Sequence, residues 1–141
     1  PEILTVDNHA DGPYLYLKMK KENPARAKEV LELLEMNEGN STGVGIGCVS
    51  WDGEVYPDQF WRNRPLGNVR QKPFSKIWTD EKNEFLMKLK NKKKHLRGRC
   101  AACAWLNVCG GNFRARAEAA GDVWGDDPAC YLTDEEIARK E

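Results

Sequence analysis

Residues 100–111 read CAACAWLNVCGG and contain three of the chain's five cysteines. Cys100 and Cys103 are separated by two residues, so one turn of backbone can direct both sulfurs toward one metal centre. Cys109 follows after five residues, and Cys130 follows after twenty more. Four thiolates are the ligands of a 4Fe–4S cluster or of a tetrahedral zinc ion. The spacing therefore predicts one metal centre bound by these four cysteines.

The residues around Cys109 favour the iron–sulfur alternative. Gly110 and Gly111 allow the backbone to adopt positive φ and to approach a cluster closely. Apolar side chains that could limit the access of water lie in the same stretch: Trp105, Leu106, Val108 and Phe113. A zinc ribbon more often has two C-x2-C pairs, whereas twenty residues separate the second pair here. Zinc stays open as an alternative, and as a substitute metal on the same thiolates.

The composition is that of a globular protein with balanced charge. Hydrophobic residues make up 40% and charged residues 31% of the 141, and the formal net charge is zero. Bulk charge therefore indicates neither nucleic acid nor a membrane surface, and no run of about 18 apolar residues predicts a span. A disulfide framework would leave one of the five cysteines unpaired, and the close C-x2-C-x5-C spacing fits metal binding in a reducing cytoplasm better. The chain starts at Pro1, which suggests a piece of a longer protein.

The first 44 residues have the order of a β/α unit. Residues 2–6 (EILTV) predict a short buried strand, and the polar loop DNHADG follows it. Asn23 before Pro24 predicts a helix start, because asparagine caps helices and proline suits their first position. Apolar residues then recur at three- and four-residue spacing, which predicts one buried helix face.

A different pattern, of short strands and loops, begins at residue 45. Strands are predicted at residues 45–50 and 54–58, because Asp52-Gly53 between two such runs is a hairpin signal. Residues 66–69 predict another short strand.

Three helices are predicted in the same region. The first covers residues 73–78, the second is capped by Thr79, and the third runs from an Asn112 cap to Gly121 as the residue after its end. The predicted fold class is α+β, with residues 1–44 as one part and the cysteine-rich residues 45–141 as the other.

The segment from Cys48 to Cys130 resembles the SPASM-type extension of radical S-adenosylmethionine enzymes. Its matching pieces, besides the cysteine block, are Cys48, residues 53–57 (GEVYP), residues 66–69 (LGNV), Ile77-Trp78 and residues 127–130 (DPAC). The resemblance covers a little over half of the chain. It implies that residues 1–44 are the last β/α part of a partial TIM barrel and that residues 45–141 are a SPASM-like domain.

The chain departs from the family pattern at one of the family's two auxiliary clusters. Asp58 and Phe113 stand where that cluster's cysteines are expected, and only Cys48 of the set remains. The resemblance therefore implies one auxiliary 4Fe–4S cluster, on Cys100, Cys103, Cys109 and Cys130. Cys48 is then a free, partly buried thiol, or it shares an incomplete second site with Asp58.

Three stretches are similar to the branch of the family that removes side chains from siroheme-derived tetrapyrroles in heme d1 and alternative heme synthesis. They are residues 7–16, 56–60 and 124–136. In the family, a barrel cluster on a CxxxCxxC motif cleaves S-adenosylmethionine to start radical chemistry. That motif is absent from this sequence, so the chain is expected to be inactive by itself. The resemblance implies a tetrapyrrole substrate, an electron donor protein and S-adenosylmethionine for the complete enzyme.

Two other function classes stay open. One is a SPASM enzyme that modifies a peptide or builds a quinone cofactor, and the other is a non-enzymatic module that binds structural zinc.

Five polar residues are candidates for substrate binding. Asn8, His9 and Asp11 follow the predicted barrel strand, where loops line active sites. Arg62 and Arg64 follow the hairpin and could pair with substrate carboxylates. The alternatives are a polar turn for the first three and simple surface placement for the two arginines.

Overall fold

The computed structural model describes residues 7–138, so the strand predicted at residues 2–6 lies outside the described part. The chain divides into two compact units. Pro1–Asn40 and Leu96–Glu141 form the first, here named the cysteine unit, and Ser41–His95 form the second, named the sheet unit. This division differs from the boundary predicted at residue 45. The predicted barrel remnant and SPASM-like part stay predictions about domain organisation.

Two helices begin the cysteine unit, α1 (Asp11–Glu22) and α2 (Pro24–Asn37). The predicted helix start is confirmed, because Asn23 Oδ1 accepts a 3.1 Å hydrogen bond from Arg26 N and Pro24 is the first helical residue. The sequence left α1 undecided. It has an acid in its first turn and two lysines in its last, which is favourable in the field of the helix dipole.

The sheet unit contains three short antiparallel strands, β1 (Cys48–Val49), β2 (Glu54–Tyr56) and β3 (Gly67–Asn68), in that order. Cys48 lies opposite Tyr56, and Val55 lies opposite Gly67. The hairpin prediction is therefore confirmed, although its strands are shorter than expected. Only the middle strand has a fully buried side chain, Val55. Longer strand pairing would therefore bury little additional apolar surface.

Helices α3 (Phe74–Trp78) and α4 (Glu84–Lys90) follow, and a 3₁₀ turn spans Lys92–Lys94. The prediction that Thr79 caps the second helix is wrong. Thr79 Oγ1 donates to Ser75 O at 2.7 Å, and Asn83 is the cap, with its Oδ1 accepting from Leu86 N at 3.0 Å. Thr79 and Asn83 both precede the same apolar residues, and the helix begins after the nearer of the two.

The second half of the cysteine unit consists of four helices of four to six residues joined by loops. They are α5 (Gly98–Ala102), α6 (Leu106–Cys109), α7 (Arg114–Ala119) and α8 (Asp134–Ala138). Gly121 has φ 110° just after α7, as predicted. The prediction that Asn112 caps this helix is wrong, because Phe113 occupies the cap position and Asn112 has φ 53°. Within residues 7–138, no helix is both long and apolar enough to cross a bilayer.

Candidate metal centre

The four predicted ligand cysteines line a single cavity of the cysteine unit. Cys100 lies in α5 and Cys103 just after it, Cys109 ends α6, and Cys130 lies in the loop before α8. All four are half-buried free thiols. In the part of the chain that the structure describes, no three Cys, His, Asp or Glu side chains are grouped tightly enough to hold a single metal ion.

Apolar side chains form much of the cavity wall. Ala10, Leu132 and Ile137 are buried together, and Cys103, Cys130 and Trp105 pack against them. Of the predicted apolar shield, Trp105 and Leu106 line the cavity. The indole Nε1 of Trp105 donates to Glu136 O at 2.8 Å, which fixes the ring. The donor set fits an iron–sulfur cluster, since four thiols face one largely apolar cavity.

Burial raises the pKa of two of the thiols. It raises the pKa of Cys109 to about 12, and the neighbouring Cys100 and Cys130 add to the effect. Burial also raises the pKa of Cys103, against the effect of Trp105 N–H, which lies 3.4 Å from its sulfur. Metal or cluster binding at these sulfurs must therefore displace protons.

The backbone after Cys109 has the positive φ angles predicted for its glycines, 67° at Gly110 and 79° at Gly111. Packing against the end of α2 is the cause at Gly110. Cys109 O accepts a 3.1 Å hydrogen bond from Asn40 N, and a Cβ at Gly110 would lie 2.8 Å from that same nitrogen. The close approach thus joins two backbone segments of the protein.

Asn112 connects the two cysteine loops. Its side chain is buried, its Nδ2 donates to Asn8 Oδ1 at 2.7 Å, and its Oδ1 accepts from His9 N at 3.0 Å. Asn8 Nδ2 in turn donates to Ala129 O at 3.1 Å, directly before Cys130. The loop predicted to face a substrate therefore contacts the residues that flank the cysteines. In the sequence, Asn112 was predicted only as a helix cap.

The buried carboxylate of Asp127 joins the start of α7 to the Cys130 loop. It accepts from Phe113 N at 3.0 Å and from Ala129 N at 2.8 Å. It also forms an ion pair with Arg116, with 3.1 Å between Oδ2 and Nη2. Asp127 belongs to the DPAC piece of the predicted resemblance, and these contacts are its structural role.

The third substrate candidate of this loop, Asp11, accepts a hydrogen bond from the Tyr131 hydroxyl. Burial raises the pKa of Tyr131, and the bond to Asp11 adds to this. The predicted substrate roles of Asn8, His9 and Asp11 stay predictions.

Arg114 is the functional candidate that sequence reasoning missed. Its side chain is completely buried, and its guanidinium donates to Gly125 O at 2.5 Å, to Val123 O at 3.3 Å and to Gly111 O. Its Nη2 lies 4.0 Å from Cys100 Sγ, and its Nε has no hydrogen-bond partner. The sequence signal that could have indicated this role is the stretch NFRARA, in which the arginine lies on the buried face of a short helix.

The remaining predicted residues lie in the sheet unit. Cys48 is half-buried in β1. Asp58 is buried, and its carboxylate accepts from Thr42 Oγ1 at 2.7 Å and from Phe60 N at 2.8 Å. These bonds explain how a carboxylate is tolerated there, whereas a site shared with Cys48 stays a prediction.

Both hairpin arginines lie over aromatic rings at the surface of the sheet unit. The Arg62 guanidinium is 4.7 Å from the centre of the Trp51 ring, and that of Arg64 is 4.8 Å from the centre of the Phe85 ring. Their binding of substrate carboxylates stays a prediction.

Comparison with domain families matches residues 45–104 to SPASM, an iron-sulfur cluster-binding domain. Fe-coproporphyrin III synthase of Methanosarcina barkeri (strain Fusaro / DSM 804) is 66% identical over 140 residues, which are 96% of this chain and 35% of that protein. Pre-heme d1 synthase of Dinoroseobacter shibae (strain DSM 16493 / NCIMB 14021 / DFL 12) is 43% identical over 135 residues, which are 94% of this chain and 33% of that protein.

An AdoMet-dependent heme synthase of Methanosarcina barkeri (strain Fusaro / DSM 804) is 39% identical over 98 residues, which are 67% of this chain and 26% of that protein. The chain thus spans about a third of the length of the first two relatives. No solved structure matches it significantly. The match of residues 45–104 to an iron-sulfur cluster-binding domain family and the similarity to these synthases together confirm the resemblance to the SPASM-containing part of radical S-adenosylmethionine enzymes of heme synthesis.

Proposed function

We propose that this chain is the auxiliary-cluster part of a radical S-adenosylmethionine enzyme of heme synthesis, and that Cys100, Cys103, Cys109 and Cys130 hold one 4Fe–4S cluster. The observation that carries the proposal is that these four thiols line one largely apolar cavity. When bound, such a cluster supplies a centre that accepts or donates single electrons.

The protein's own residues would control the surroundings of that centre. Leu132 and Ile137 limit the access of water, because both are more than nine-tenths buried beside the thiols. The N–H of Trp105 is directed at the Cys103 sulfur, and donors to thiolate sulfur influence the potential of a cluster. An electron donor protein and a cytoplasmic location belong to the same proposal.

The proposed substrate of the complete enzyme is a siroheme-derived tetrapyrrole that loses side chains. The names of the relatives support this class, since they concern an iron coproporphyrin, a heme d1 precursor and heme. Asn8, His9, Asp11, Arg62 and Arg64 are the proposed contacts to its polar groups. S-adenosylmethionine would be cleaved outside this chain, because the sequence has no CxxxCxxC.

Anaerobic reconstitution with iron and sulfide tests the cluster. We expect about four irons and four sulfides per chain, a brown chromophore, and a marked loss of iron in Cys103→Ser. Cys48→Ser is the matched control, since it removes a half-buried thiol of the sheet unit, and should load normally. Colourless protein that holds one zinc and takes up no iron would refute the proposal, as would an unchanged iron content in Cys103→Ser.

A further inference from the structure

We propose that Arg114 is the cationic partner of the bound cluster and that its buried charge raises the cluster's reduction potential. This inference rests on the proposed function, because it requires a cluster on Cys100 and the other three cysteines.

The guanidinium of Arg114 is a buried charge without an acidic partner. Its side chain has 0% exposure, and within residues 7–138 no carboxylate lies within 4.0 Å of it. Its hydrogen bonds go to three backbone carbonyls, which are neutral, and its Nε remains unsatisfied. A guanidinium is cationic in proteins.

Three other arginines of the same unit that the structure describes are arranged differently, since each forms an ion pair with a carboxylate. The pairs are Arg97 with Asp122 at 2.9 Å, Arg99 with Asp134 at 2.9 Å and Arg116 with Asp127 at 3.1 Å. Arg114 is thus the exception in its surroundings. A buried charge is costly unless an opposite charge compensates it. We therefore expect a negatively charged group to lie beside Arg114 in the loaded protein.

The Cys100 sulfur is the acceptor that can supply this negative charge. It lies 4.0 Å from Arg114 Nη2, and it becomes a thiolate when it binds a metal. A cluster with four thiolate ligands is anionic, and its negative charge grows by one when it accepts an electron. A fixed buried cation therefore stabilises the reduced form more than the oxidised form, and the potential rises.

A redox titration of reconstituted chain 1–141 tests the effect of the charge. Dithionite, which is oxidised to sulfite, supplies one electron per cluster through mediators, and electron paramagnetic resonance follows the reduced form. In Arg114→Met, we expect the equilibrium constant for reduction to fall at least about tenfold, a shift of about 59 mV to lower potential. Arg114→Lys should stay closer to wild type, because it keeps the charge.

Arg97→Met is the matched control, because it makes the same substitution at an exposed, ion-paired arginine. Solvent screens that charge, so its potential should equal that of wild type. An Arg114→Met protein that loads four irons but keeps the wild-type potential would overturn the inference while leaving the proposed function intact. A wild-type chain that binds no cluster refutes the proposed function, and the inference with it.

A second measurement covers the case in which Arg114→Met does not load. Wild-type protein containing ¹⁵N-arginine is reconstituted, reduced and studied by pulsed electron paramagnetic resonance. We expect a ¹⁵N hyperfine coupling to the cluster that persists in Arg99→Met, whose replaced arginine also lines the cavity. A coupling that is missing, or that disappears in Arg99→Met, would overturn the role of Arg114.

Discussion

Asn112 Nδ2 donates a 2.7 Å hydrogen bond to Asn8 Oδ1, which joins residues 104 positions apart in the sequence. The bond places the loop before α1 between the loops of Cys109 and Cys130, because Asn8 also donates to Ala129 O. The geometry of the candidate metal centre therefore depends on polar side chains that do not line up with any helix or strand period.

Replacing Asn112 with alanine should destabilise the chain by about 2–4 kcal/mol, because the buried side chain loses its hydrogen bonds to Asn8 and His9 and alanine is strained at φ 53°. Asn112→Gly loses the same bonds without the strain and should be more stable than Asn112→Ala by about 1 kcal/mol. Urea unfolding measures both variants. Equal midpoints for Asn112→Ala and wild type would contradict the role of Asn112.

Arg116→Met should destabilise the chain by about 2 kcal/mol, because it leaves the fully buried side chain of Asp127 without its ionic partner. The control is Arg97→Met, whose ion pair with Asp122 is exposed and should contribute less than about 1 kcal/mol. Adding Asp127→Asn to Arg116→Met should recover part of the loss. Thermal unfolding of the three proteins checks this, and equal losses for Arg116→Met and Arg97→Met would argue against it.

Local signals in the sequence were sufficient for the elements that form from neighbouring residues. The cap at Asn23 and the hairpin at Asp52-Gly53 depend on contacts a few residues apart, and both are present. The cysteine spacing was informative for the same reason, because the short segments between Cys100, Cys103 and Cys109 keep these three thiols close together.

The roles of Asn112 and Arg114 could not be predicted from the sequence, because they depend on long-range contacts. Asn112 was expected to cap a helix, but a buried amide that reaches Asn8 and His9 uses its hydrogen bonds across the fold instead. Nothing in the sequence distinguishes Arg114 from other helix arginines, whereas the structure shows that it is buried and that its Nη2 lies 4.0 Å from Cys100 Sγ. Such contacts have no period in the sequence.

Gly110→Ala should lower both the stability of the chain and its iron content. Alanine at φ 67° costs about 1–2 kcal/mol, and its Cβ would lie 2.8 Å from Asn40 N, which displaces the backbone of Cys109. Gly121→Ala is the control, because it also has positive φ but has open space around the added Cβ. It should therefore lose stability without losing iron. Normal loading of Gly110→Ala would contradict this prediction.

The metal-free chain should lose stability in alkaline solution because of Cys109. Its thiol has a pKa of about 12 in the folded chain against 9.0 for a free thiol, with burial as the main cause. Between these values the unfolded chain has lost the proton and the folded chain still holds it, so deprotonation favours unfolding as the pH rises above 9. The expected loss is about 1.4 kcal/mol per pH unit from this residue, and none of it is present below pH 8.

Urea unfolding of the metal-free chain at pH 8, 9, 10 and 11 measures this slope. Cys109→Ala is the reference, since lysines and tyrosines titrate in both proteins and their contribution cancels in the difference. Its free energy of unfolding should approach that of wild type as the pH rises, because only wild type has the buried thiol. Parallel curves for the two proteins would mean that Cys109 ionises as easily in the folded chain as in the unfolded one, and that its burial has no influence on the protons that a metal must displace.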